Sequence, residues 1–175
     1  MIGGELGGRR LVAPRGWKVR PTSDRAREAI FSVLGERVEG ARVLDLYCGT
    51  GALSIEALSR GAAHATMIDR DTRAALGNIE RLGLSARVEL VRADVSRWLA
   101  GGRDGGFDLV FVDAPYRLAD PVGQELDSQL PGLLNEGGRA IVESGARRPL
   151  NIESLPRLRQ RRYGAADVSI YGRGE

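Results

Sequence analysis

Four short apolar runs each end in an aspartate: Asp45, Asp69, Asp94 and Asp113. The first stands before a turn with two glycines, Asp45-Leu46-Tyr47-Cys48-Gly49-Thr50-Gly51. Glycines at such a turn let a ligand approach the main chain and let the chain enter a helix sharply. A dinucleotide fingerprint would need a third glycine at position 54, where this chain has Ser54. A carboxylate before the loop repels a pyrophosphate but attracts a cation, and an aminoacyl sulfonium compound carries both an amino group and a positive sulfur. Asp69, 24 residues after Asp45, stands where a carboxylate can accept hydrogen bonds from both ribose hydroxyls. Asp94 can accept from an adenine amino group. The plainer alternatives are a loop that only shapes a turn, and Asp69 and Asp94 as helix caps, with Asp71 available to cap in place of Asp69.

Asp113-Ala114-Pro115-Tyr116 carries the more telling chemistry. An exocyclic amine on a nucleobase is a poor nucleophile because its lone pair is delocalised into the ring. Two acceptors aimed at its hydrogens draw the nitrogen toward tetrahedral geometry, and the Asp113 carboxylate and the Ala114 carbonyl can serve. Pro115 holds Ala114 in extended geometry. Tyr116 offers a ring on which a flipped base can stack, a contact worth roughly 1–3 kcal/mol. Such a site works by positioning and electrostatics. Cys48 sits in the glycine loop, where a small residue is needed, and His64 lies early in its run, far from the other candidates; both read as structural.

Composition limits the remaining classes. One cysteine and one histidine in 175 residues exclude an internal disulfide and a Cys/His zinc site. No apolar run reaches the roughly 20 residues of a membrane span, and no apolar stretch follows the N-terminal arginines, so a reducing cytoplasm is expected. Residues 9–27 carry seven bases and one acid, residues 147–162 six bases and one acid, and the stretch between them is acidic. Segregated arginine suits a polyanion, because guanidinium pairs bidentately with phosphate.

The elements that would position these residues alternate. Residues 1–22 form a Gly- and Arg-rich arm or hairpin, and residues 23–175 the main domain. A helix runs from Thr22 or Ser23 to about Gly35, with Ala26, Ala29, Ile30, Val33 and Leu34 on one face. Strands follow at 41–46, 64–69, 87–94, 107–116 and 139–144, with helices at 52–61, 72–83, 95–100 and about 122–134. Residues 158–163 and 166–172 pair as an antiparallel hairpin across Gly164. This is a doubly wound α/β domain with a mainly parallel sheet, and its ligand belongs at the carboxyl ends of the strands.

With those residues in place, the sequence resembles the bacterial 16S ribosomal RNA guanine 2-amino methyltransferases. The likeness rests on DLYCGTGALSIEALSRGA, on DAPY and on RPTSDRAREAIF, and runs from IGGELGGRRL to YGAADVSIYG. It implies a Rossmann-like class I methyltransferase fold with a seven-stranded sheet whose last strand is antiparallel. It also implies S-adenosyl-L-methionine as cofactor and a guanine of 16S ribosomal RNA, in the 30S subunit or an assembly intermediate, as target; a monomer is the default. Asp45, Tyr47, Gly49 and Gly51 would line the methionine end, Asp69 and Arg70 would hold the ribose, and Asp94 and Val95 the adenine. Asp113 through Tyr116 would hold the guanine, and Arg9, Arg10, Arg20, Thr22, Arg25 and Arg27 would contact RNA. The family pattern D-P-P-[YF] has Ala114 at its second position here, which keeps the backbone acceptor. The motif also permits an amino methyltransferase acting on DNA adenine or protein glutamine, and the fold permits a catalytically silent RNA-binding assembly factor. A nicotinamide dehydrogenase is disfavoured by Ser54 and by the lack of a second domain.

Overall fold

Runs such as Arg42–Leu46 and His64–Asp69 are apolar almost throughout rather than alternating, as expected of parallel strands covered on both faces. In the computed structural model, which describes residues 1–13, 22–102, 105–114 and 119–174, they are the centre of a seven-stranded sheet. The strands are β1 (Arg42–Leu46), β2 (His64–Asp69), β3 (Val88–Arg92), β4 (Phe107–Asp113), β5 (Leu134–Gly145), β6 (Arg157–Tyr163) and β7 (Ala166–Gly172). Their spatial order is β3-β2-β1-β4-β5-β7-β6. β1 to β5 pair in parallel, and β7 runs antiparallel to both β5 and β6. The mainly parallel, doubly wound sheet and its antiparallel last strand are thus as expected.

The helices are α1 (Thr22–Leu34), α2 (Ala52–Ser59), α3 (Arg73–Leu82), α4 (Val95–Ala100) and α5 (Ala119–Leu133). Side-chain alternation divides the core in two. Val43, Leu109, Phe111 and Ile141 face α1, α2 and α3, while Leu44, Val110, Val112 and Ala140 face α4 and α5. Phe31 of α1 meets Phe111 of β4 with ring centroids 5.8 Å apart and tilted, a pairing worth about 0.5–1.5 kcal/mol beyond its buried area. That contact places the N-terminal turns of α1 above the ends of β4 and β5.

Element boundaries shift by one to five residues from expectation, most of all at β5. β5 starts at Leu134, before the expected 139, because the chain pairs with Phe107 ahead of a register break in β4; the left-handed Gly137 (φ 75°) lies in this stretch. β4 ends at Asp113, and Pro115 and Tyr116 lie outside the described residues, as does Arg20. Thr22 begins α1, but its side chain is outside the description too.

Residues 1–13 hold turns rather than strands and are docked on α2 and α3. Glu56, fully buried on α2, accepts hydrogen bonds from the Ile2 and Gly3 amides at 2.8 and 2.9 Å. Ser59 accepts from the Leu6 amide and donates to the Gly3 carbonyl, and Asn78 of α3 bonds Val12 in both directions. Gly4 (φ 72°) lies so close to α2 that a Cβ would fall 1.8 Å from the Ser59 carbonyl oxygen. Met1, Leu6 and Leu11 pack on the core beneath. Among the described residues no helix is long and apolar enough to cross a membrane.

Candidate active site

β1 and β4 are neighbours whose connections leave in opposite directions, α2 toward β2 and α5 toward β5. A crevice opens outside the strand ends at such a switch point. Here it is a cleft of about 650 Å³. Asp45, Tyr47, Gly49 and Asp113 line it from the strand ends, Arg9 and Arg10 from the N-terminal segment, and Arg27 from α1. Asp69, Arg70, Asp94 and Val95 continue the same edge along β2 and β3 without lining the cleft, and Arg25 is exposed on α1 outside it.

The glycine loop is held from both sides. Asp69 Oδ2 accepts the Gly49 amide at 2.9 Å and Oδ1 accepts the Asp71 amide at 3.0 Å, so Asp69 ties the loop to the end of β2. Asn78 donates to the Thr50 carbonyl, which links the loop to the docked N-terminal segment. Gly49 (φ 56°) and Gly51 (φ 80°) are left-handed, and a Cβ on Gly51 would meet Met67 Cε at 2.4 Å. Tyr47 (φ 65°) is the single non-glycine with positive φ among the described residues, a strained conformation of the kind found at functional sites. Burial first, then the charges of Glu125 and Asp94, push its phenol up to about 12.

Asp45 is buried, and its Oδ2 accepts both the Ser54 hydroxyl (2.8 Å) and the Ser54 amide (3.3 Å). Ser54, which breaks a dinucleotide fingerprint, therefore anchors the acid instead. Burial raises the Asp45 carboxyl to about 7 despite these bonds, with Asp113 and Asp69 adding repulsion. A cationic group entering the cleft would reverse that balance and favour the carboxylate. The left-handed glycine loop along the cleft and the buried acid together fit an aminoacyl sulfonium cofactor.

Asp94 does cap α4, accepting the Arg97 amide at 3.0 Å, and its other oxygen pairs with Arg70. Both contacts hold its carboxyl below the usual range, the backbone bond first. Cys48 is buried, and burial followed by the charges of Asp45 and Asp69 pushes its thiol far up, so no thiolate nucleophile is available. His64 pairs in register with Arg42 at the opposite end of the sheet. No cluster of metal-ligating side chains occurs among the described residues.

Three features go beyond the sequence reading. Glu143 of β5 stands opposite Asp113 in register and lines the cleft; it closes the fifth apolar run as the other acids close theirs, so the same rule could have found it. Arg27 is buried enough that its Nε, with no hydrogen-bond partner among the described residues, sits out of water. Glu56 and Asn78, polar residues within helices that the sequence did not single out, hold the wall of the site.

Residues 1–172 match the family model described as Conserved hypothetical protein 95. YlbH of Bacillus subtilis (strain 168), whose name proposes an rRNA methyltransferase, is 36% identical over 98% of this chain and 97% of its own length. The ribosomal RNA small subunit methyltransferase D of Escherichia coli (strain K12) is 38% identical over 67% of this chain, a match that spans 60% of that relative. The solved structure of E. coli yhhF, named as a proposed methyltransferase, superposes with a TM-score of 0.84 at 31% identity, covering 99% of this chain and 97% of that one. The chain has the class I methyltransferase fold and belongs to the Conserved hypothetical protein 95 family.

Proposed function

We propose that this chain transfers the methyl group of S-adenosyl-L-methionine to the exocyclic 2-amino group of a guanine in 16S ribosomal RNA. The observation that carries the reading is the meeting, at one switch-point cleft, of the buried Asp45 and its glycine loop with Asp113. Relatives named as ribosomal RNA methyltransferases support the substrate class.

When bound, the cofactor supplies an electrophilic methyl group whose departure leaves a neutral thioether. Asp45, Tyr47, Gly49 and Gly51 face its methionine end, Asp69 and Arg70 its ribose, and Asp94 and Val95 its adenine; Arg70 must leave Asp94, an exposed pair that costs little to open. Asp113 and the Ala114 carbonyl accept the two hydrogens of the guanine amine and aim its lone pair. Ala114 is buried in the core beside α5, which fixes its peptide without the proline of the family pattern. Pro115 and Tyr116 would add restraint and a stacking surface. After transfer the nitrogen sheds one proton, for which Asp113 is the adjacent base. Arg9, Arg10, Arg20, Thr22, Arg25 and Arg27 contact the RNA. The substrate is an assembled or partly assembled 30S particle, and the enzyme acts in the cytoplasm as a monomer.

Incubation with labelled S-adenosylmethionine and 30S subunits from cells lacking the modification, followed by digestion to nucleosides, tests this. Label in 2-methylguanosine is expected, and mapping it gives the nucleotide. Label in another nucleoside, or in ribosomal protein, would transfer the reading to a different amino substrate.

A further inference from the structure

Guanine differs from other bases along one edge, which presents an acceptor (O6), a donor (N1–H) and a second donor (the 2-amino group). Asp113 addresses only the last of these. Asp113 and Glu143 are register partners on adjacent parallel strands, whose backbones lie about 4.8 Å apart. Alternation from Phe111 and Ile141, which face α1, puts both carboxyl groups on that same face of the sheet. Both line the cleft, and α1 contributes Arg27 to the same cleft. One Nη of Arg27 is taken by Asp24 at 2.9 Å, while its buried Nε has no partner among the described residues. The Arg27 side chain is only 12% exposed and lines the cleft, so a base oxygen entering there meets the guanidinium away from bulk water.

We propose that Glu143 and Arg27 read the guanine: Glu143 accepts N1–H and the Arg27 guanidinium donates to O6, while Asp113 takes the 2-amino group. The inference rests on the guanine reading above and deepens it. Donor, acceptor and acceptor on the protein complement acceptor, donor and donor on the base. An adenine whose 6-amino group met Asp113 would turn its N1 lone pair on the Glu143 carboxylate, a repulsive contact. The same residues that admit guanine thereby exclude the adenine alternative left open by the D-x-P-Y motif.

The test uses 30S particles reconstituted with 16S RNA that carries, at the mapped nucleotide, either guanine or 2-aminopurine. The analogue keeps the 2-amino group but lacks N1–H and O6. Wild-type enzyme is expected to lose at least about 100-fold in kcat/KM on the analogue, since a site built to hydrogen-bond a group rejects a substrate lacking it. Glu143→Gln should lower kcat/KM for guanine at least about tenfold and narrow the guanine-to-analogue ratio, because its amide can donate to the bare N1. Arg27→Met, which keeps the aliphatic packing, should narrow the ratio by removing the O6 contact. S-adenosylhomocysteine affinity, measured by calorimetry, should be unchanged in both. A wild-type ratio near one, or variants that keep the wild-type ratio whatever their absolute rate, would overturn the proposal. Absence of methylation on guanine with wild-type enzyme would instead remove the functional reading beneath it.

Discussion

Along the β1-β2-β3 side of the edge every carboxylate already holds donors of its own chain: Asp45 holds Ser54, Asp69 holds the Gly49 and Asp71 amides, and Asp94 holds Arg97 and Arg70. Along the β4-β5 side the cleft wall comes from α1, where Arg27 Nε lacks a partner among the described residues and Arg25 is exposed, while Arg9 and Arg10 stand exposed across the cleft on the segment docked over α2 and α3. The first side is organised before any ligand arrives. The second presents donors that a polyanion with a base at its end would satisfy. The comparison assigns small-molecule binding to the preorganised side, where preformed hydrogen bonds limit the entropy lost on binding, and RNA to the other.

The sharpest way to break that assignment is at Asp113, the residue between the two sides. Asp113→Ala should lower kcat about 100- to 1,000-fold, the usual loss when one preorganised polar group at a reacting centre is removed. Affinity for S-adenosylhomocysteine should stay within about twofold of wild type. A parallel loss of turnover and cofactor affinity would place Asp113 on the cofactor side and erase the division.

On the preorganised side the expected effect is smaller and depends on pH. Folding raises the Asp45 carboxyl from 3.8 to about 7. Between those values the folded protein keeps a proton that the unfolded chain has lost, so this group's contribution to stability falls as pH rises from about 4 to 7 and is constant above. A cationic ligand needs the ionised form, so cofactor affinity should weaken as pH falls below 7, approaching tenfold per unit. Asp45→Asn should flatten that profile and be more stable than wild type at pH 8. Calorimetric titrations at pH 6, 7 and 8 distinguish the outcomes, and an unchanged profile in the variant would locate the proton elsewhere.

How far the sequence disclosed all this also divides by region. The mainly parallel sheet, its crossovers and the acids at its ligand edge follow from apolar runs that alternate with helices and end in aspartate, whereas the spatial order of the strands does not. The docked N-terminal segment was hidden. Its anchors, Glu56, Ser59 and Asn78, are polar residues in helices, and only the tertiary contact with Ile2, Gly3, Leu6 and Val12 shows them to be interior. Asp94 showed the reverse ambiguity, since one carboxylate both caps α4 and stands at the ligand edge, and spacing cannot separate two roles held by one side chain.

The docking of residues 1–13 also decides how the RNA side should be probed. Deleting the segment would uncover the apolar surface under Met1, Leu6 and Leu11, leave the buried Glu56 without its amide donors, and confound binding with folding. Point charges avoid this: Arg9 and Arg10 are exposed, and the bond that Arg81 makes to Arg10 uses the backbone carbonyl, which a side-chain change leaves in place. Arg9→Gln with Arg10→Gln should weaken binding to the 30S particle by several-fold and reduce the slope of log affinity against log salt by about one for each phosphate no longer neutralised. Thermal stability should not move, because both side chains are exposed. A full salt slope in the double variant would assign the phosphates to the exposed arginines of β6, the other basic stretch, and shift the RNA track from the N-terminal wall of the cleft to the far edge of the sheet.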